Sequence, residues 1–103
     1  MQIQIFAQGI ELPDRLRAYV ERSLTDVLHH HAERLTRVEV HLKDLNSRQK
    51  NGVDKHCLLE AKPRGMEPIA AEHDAPEFKD AVHHAALKLE RALQHRIDKH
   101  RNH

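Results

Sequence analysis

The chain has 103 residues, 39% hydrophobic and 32% charged, which suits one small folded domain with a modest core and excludes a disordered chain. Its formal charge of +1 at pH 7 is too balanced for indiscriminate nucleic-acid binding. One cysteine, Cys57, excludes an internal disulfide and fits a reducing cytoplasm. The N-terminus carries no basic leader and no apolar run is long enough to span a bilayer, so a soluble intracellular domain is expected. Aromatics are limited to Phe6, Tyr19 and Phe78, so the core is expected to be aliphatic. The 11 histidines are many for this length; imidazoles titrate near pH 6.5, so mild acid adds up to one charge at each.

In chain order, Ile3 and Ile5 alternate with Gln2 and Gln4, predicting a strand that extends to about Ala7 and is broken at Gly9. Pro13 and Asp14 suit a first helical turn. Leu16, Val20, Leu24, Val27 and Leu28 then form the buried stripe of a helix from about Pro13 to His31, flanked by Tyr19. Val38, Val40 and Leu42 alternate with Arg37, Glu39, His41 and Lys43, a strand with one wet face. The polar run 46–52 reads as a turn closed by Gly52. Cys57, Leu59 and Ala61 mark a third strand ended by Pro63-Arg64-Gly65, and Met66 to His73 a fourth, with Ile69 and Ala71 inward. Pro68 cannot donate to a ladder, which places this strand at a sheet edge.

Asp74-Ala75-Pro76-Glu77 opens the last element, a helix reaching Asn102, with Asp74 and Glu77 spaced as a capping box. Phe78, Val82, Ala85, Leu89, Leu93 and Ile97 form its apolar stripe. The order β-α-β-β-β-α defines an α+β domain, two helices packed on one face of a four-stranded mixed sheet. The first two strands are expected to be parallel through a right-handed crossover, and the later ones antiparallel. Residues 1–103 read as a single domain.

Little in this pattern is chemistry. His29-His30-His31 are successive residues about 100° apart on a helix and do not converge on one ion; His83-His84 share that fault. His56 and Cys57 point to opposite faces of a strand, leaving Cys57 as a small core hydrophobe. No phosphate loop, paired-carboxylate motif or other catalytic constellation is present, so neither an enzyme, a metal, a cofactor nor a small-molecule substrate is expected.

The remaining signal is basic. Lys79, Lys88, Arg91, Arg96, Lys99 and Arg101 lie off the apolar stripe of the last helix. Between Lys88 and His103 five Lys or Arg face only Glu90 and Asp98, whereas the chain up to Arg34 runs slightly acidic. Lys and Arg near a helix C-terminus also suit an ordinary solvated face. As a binding surface the stripe fits a polyanion, met through phosphate and shape, since surface aromatics for base stacking are scarce.

Several segments together carry a family likeness. Leu16-Arg17-Ala18-Tyr19-Val20, Val38-Glu39-Val40-His41-Leu42, Ile69-Ala70-Ala71 leading to Phe78-Lys79-Asp80-Ala81-Val82, and above all Lys88-Leu89-Glu90-Arg91-Ala92-Leu93 occur in this order. On these segments the chain resembles the ribosome hibernation promoting factor / ribosome-associated inhibitor A family over nearly its whole length. The resemblance implies a bacterial, cytoplasmic translation inhibitor that binds small-subunit rRNA in the decoding region, where mRNA and tRNA lie, under stress or in stationary phase. It implies neither catalysis nor a DNA or membrane partner. Lys88, Arg91, Lys99 and Arg101 carry over as phosphate contacts, with Arg17 on the first helix; Arg96 and Lys79 join them by placement. His95, Ile97, Ser23 and Asp26 stand where the family is often basic, implying weaker binding at neutral pH, and the length implies a short form. The alternative is a non-catalytic binding module on the same fold with a different protein or RNA partner.

Overall fold

A computed structural model describes residues 1–45 and 52–101. The elements are β1 (Gln2–Gln8), α1 (Asp14–Val27), a 3-10 helix η1 (His29–Arg34), β2 (Leu35–Asp44), β3 (Lys55–Pro63), β4 (Ile69–Ala75) and α2 (Phe78–Arg101). The expected α+β architecture is observed. The sheet order is β1-β2-β3-β4, parallel between β1 and β2 and antiparallel thereafter, so β1 and β4 are the two edges. The expected polar turn falls largely on residues 46–51, outside the described residues; Gly52 beside it takes φ 84°, a conformation that disfavours a side chain.

Strand alternation builds the core. Val38, Val40 and Leu42 of β2 and Cys57, Leu59 and Ala61 of β3 are at most 1% exposed beneath the helices. Ile3 and Ile5 pair with Val38 and Val40 and extend the same face to β1. Leu35 is also buried although three residues before Val38, which strict alternation forbids. The register shift between Leu35 and Arg37 absorbs the extra residue, as a bulge does, and Thr36 Oγ1 donates to the Lys62 carbonyl at 2.9 Å.

Three boundaries differ from the sequence expectation. The first helix stops at Val27, and the chain tightens into η1; this turns His31 inward to 4% exposure instead of leaving it on a solvated helix end. The fourth strand runs from Ile69 to Ala75, not from Met66 to His73. The last helix therefore starts at Phe78, and the capping box does not form. Asp74 lies in β4 with its carboxylate on His56 Nδ1 at 2.5 Å, on the sheet face away from α2. Pro76 explains the shift, because the residue before a proline is driven to extended backbone and the strand continues through Ala75.

Cys57 is fully buried, and burial pushes its thiol up to about 12. At pH 8 it stays protonated and walled off, so a disulfide-exchange reagent is expected to leave it unmodified in the folded protein. In denaturant the same reagent should label one thiol per chain; fast labelling of the native protein would contradict this core placement.

Candidate nucleic-acid interface

α2 is about 36 Å long at 1.5 Å per residue, with Ala81, Val82, Ala85, Ala86, Leu89, Leu93 and Ile97 buried along it. Taking Leu89 as the middle of that stripe and about 100° per residue, Lys88, Lys99, His95, His84 and Arg91 fall within roughly 80° of arc on one flank. Lys88 and His84 show that this flank borders β4, and Arg96, at the angle of the apolar stripe itself, reaches the connection before β4. Lys88 Nζ donates to the Glu72 carbonyl at 3.1 Å, Arg96 Nη1 to the Glu67 carbonyl at 3.1 Å, and the His73 and His84 rings lie 4.8 Å apart. Lys88 and Arg96 are thus tethered by neutral carbonyls, which leaves their charge uncompensated. Arg91 and Lys99 are exposed and have no polar partner among the described residues.

The other predicted cations lie elsewhere. Lys79 is on the opposite flank, against α1: its Nζ stands 5.7 Å from the Tyr19 ring centroid, and the Tyr19 hydroxyl donates to the Lys79 carbonyl at 3.4 Å. Arg101 falls on that same flank by helical angle. Arg17 sits on the side of α1 turned away from Tyr19 and Ser23, which face α2. The structure therefore brings together Lys88, Arg91, Arg96 and Lys99, and separates Arg17, Lys79 and Arg101 from them.

Of the acids of α2 only Glu90 is turned away from these cations, whereas Asp98 and Asp80 stand about 20° of arc from Arg91. Glu90 faces η1, where its Oε2 lies 3.0 Å from His31 Nε2. Asp98 accepts from Gln94 Nε2 at 3.0 Å on the solvent crest, which also carries Asp80. Glu72 contributes only its carbonyl to the flank; its side chain lies on the open sheet face, 3.8 Å from His56 Nε2. His84 and His95 stand between the flank's bases, His95 at one of the positions where the family is often basic. The signal is in the spacing: His84 is four residues before Lys88 and His95 seven after it.

His73, on the helix side of β4, is held below the ordinary imidazole range, chiefly by burial and then by the charges of Lys88 and His84, with Asp74 opposing them. The fold thus favours neutral His73, and the unfolded chain binds its proton more readily. Stability from this residue is present above about pH 6.5 and is lost as pH falls through the lowered folded value. Denaturant melts at pH 7 and pH 5 should show a smaller acid loss in His73→Gln than in the unmodified protein.

Among the described residues no group of three or more His, Cys, Asp or Glu side chains is placed to hold a metal ion, and no helix is long and apolar enough to cross a membrane.

A mixed four-stranded sheet, covered on one face by two helices of which the longer has a basic flank, defines a small α+β domain. The chain belongs to the Sigma 54 modulation protein / S30EA ribosomal protein family, whose model matches residues 3–101, so the family resemblance carried by its segments holds. A ribosomal subunit interface protein from Coxiella burnetii has the same fold at 21% identity, with a TM-score of 0.77 covering 95% of this chain and 99% of that one. The N-terminal domain of Protein Y from Thermus thermophilus shares it at 18% identity and a TM-score of 0.73, covering 92% and 98%. No curated protein matches the chain in sequence.

Proposed function

We propose that the protein is a hibernation factor of the bacterial cytoplasm whose residues 1–103 form the domain that binds the small ribosomal subunit through its rRNA. It occupies the decoding region, excludes mRNA and tRNA, and so inhibits translation under stress or in stationary phase, with no catalysis and no cofactor. The observation that carries this reading, within a family of ribosomal proteins, is that Lys88, Arg91, Arg96 and Lys99 lie along one side of α2 with no carboxylate paired to them, Glu90 being turned to His31. Such a surface contacts phosphates and releases condensed counterions, which gives salt-sensitive binding without base readout. Arg17, Lys79 and Arg101 act outside this contact in the present arrangement.

That separation favours one second reading, a binding module whose partner has changed to another RNA or a protein. Co-sedimentation of the protein with purified small subunits across a salt series decides between them. Four phosphate contacts give a log–log slope near 3, a loss on the order of 60-fold between about 50 and 200 mM salt. Absence of binding at the lowest salt would leave the second reading standing.

A further inference from the structure

The sheet face away from the helices is uncovered by any described element, and Phe6, Leu58 and the polar side chains of β2, β3 and β4 lie on it. Phe6 is 49% exposed, a surface aromatic on the sheet where such side chains are expected to be scarce. Its ring is stacked on that of His41, its partner in the parallel register, with centroids 5.0 Å apart and planes within 15°. The stack is held from below: His41 Nε2 lies 3.2 Å from Glu39 Oε1, and Arg37 Nε donates to Glu39 Oε2 at 3.1 Å. Those two contacts also hold the Glu39 carboxyl below its usual range, His41 first and Arg37 second. The platform therefore has a fixed orientation and a balanced charge.

β1 is an edge strand, so the face of the Phe6 ring turned from His41 has no neighbouring strand beside it. The next row along the strands supplies Gln8, Lys43 and His56, which with Phe6, His41 and Leu58 line a groove of about 300 Å³. Lys43 is exposed and has no partner among the described residues, whereas His56 is engaged by Asp74. An aromatic face with a free ammonium one row away, about 7 Å along the strand, matches an unpaired base joined to its phosphate. A protein partner would meet only Phe6 and Leu58 as large apolar side chains in a groove otherwise lined mainly by polar ones.

We propose that Phe6, stacked on His41, is a platform for one unpaired RNA base, with Lys43 taking the adjoining phosphate. The site is separate from the α2 flank, across a sheet about 14 Å wide, and it rests on the reading under Proposed function only for the origin of the RNA. The probe is an unstructured RNA hexamer, titrated into the full chain and into Phe6→Leu, Lys43→Gln and the double substitution Lys88→Glu/Arg91→Glu, with ring protons followed by NMR.

Upfield shifts of the Phe6 and His41 ring protons are expected on addition of the hexamer, and they should persist in the double substitution. Phe6→Leu should weaken hexamer binding by roughly 5- to 150-fold, the range of base–aromatic stacking. Lys43→Gln should lower the salt slope by about 1. Unmoved ring signals, or Phe6→Leu binding as tightly as the unmodified chain, would overturn the site. So would ring shifts that follow protein concentration without RNA, which would make the patch a contact between two copies. Loss of small-subunit binding in the double substitution, with hexamer shifts retained, separates failure of either reading from failure of the other.

Discussion

Small-subunit binding by Lys88→Glu/Arg91→Glu is expected to fall at least about 100-fold at low salt. Each residue offers a charge-assisted contact worth roughly 1.5–3 kcal/mol when fully formed, and reversal adds repulsion from the same phosphates. Even with exposure and screening taken at the low end, two sites sum to about 3 kcal/mol, which is a factor above 100. The salt slope should drop from about 3 to near 1, because two of the four neutralising cations on the flank are removed. Folding should be spared. Arg91 is exposed with no described polar partner, and Lys88 gives up one surface hydrogen bond to the Glu72 carbonyl. The informative control is Lys79→Glu/Arg101→Glu, of equal charge change on the opposite flank of α2. It should weaken binding by no more than a few-fold, through long-range field alone. Equal losses in the two variants would show that net charge, not the β4-side flank, determines affinity.

The second large effect is on stability. Leu59 is wholly buried on the central strand β3, level with Val40 of β2 and Ala71 of β4 and beneath the helices. Leu59→Ala removes buried methylenes and leaves a cavity that strands on both sides prevent from collapsing, at about 3 kcal/mol. For a domain near 100 residues that lowers the melting temperature by roughly 15 °C. Its chain neighbour Leu58 points to the open face and is only partly covered, so Leu58→Ala should cost less than about 1.5 kcal/mol. Thermal melts of the two variants compare identical chemical changes one residue apart. Similar costs would mean that the open face is covered in solution.

Period-two and period-3.6 patterns are local properties of the chain, and for that reason the strands, both helices, the inward set of β2 and β3 and the aliphatic core were legible in the sequence. β4 is at the expected edge, although Pro68, on which that expectation rested, lies just before the strand. Ends that depend on contacts made elsewhere were less legible. Asp74 and Glu77 have the spacing of a capping box, yet Asp74 is claimed by His56 across β3 and β4. His31 continues a helical pattern, yet it turns inward in η1 to meet Glu90, 59 residues away.

The candidate interface divides in the same way. Composition and spacing determined that the last helix is basic and that most of its bases lie off the apolar stripe, Arg96 being the exception near the helix end. Only the tertiary structure decided which of them act together, because helical angle places a side chain on a flank while packing decides what borders that flank. β4 lies beside Lys88, the connection before it beside Arg96, and α1 beside Lys79, so one set of cations becomes two. The Phe6–His41 stack has the same origin. Residues 35 positions apart become neighbours through the parallel pairing of β1 with β2, a long-range contact that no local pattern in the sequence encodes.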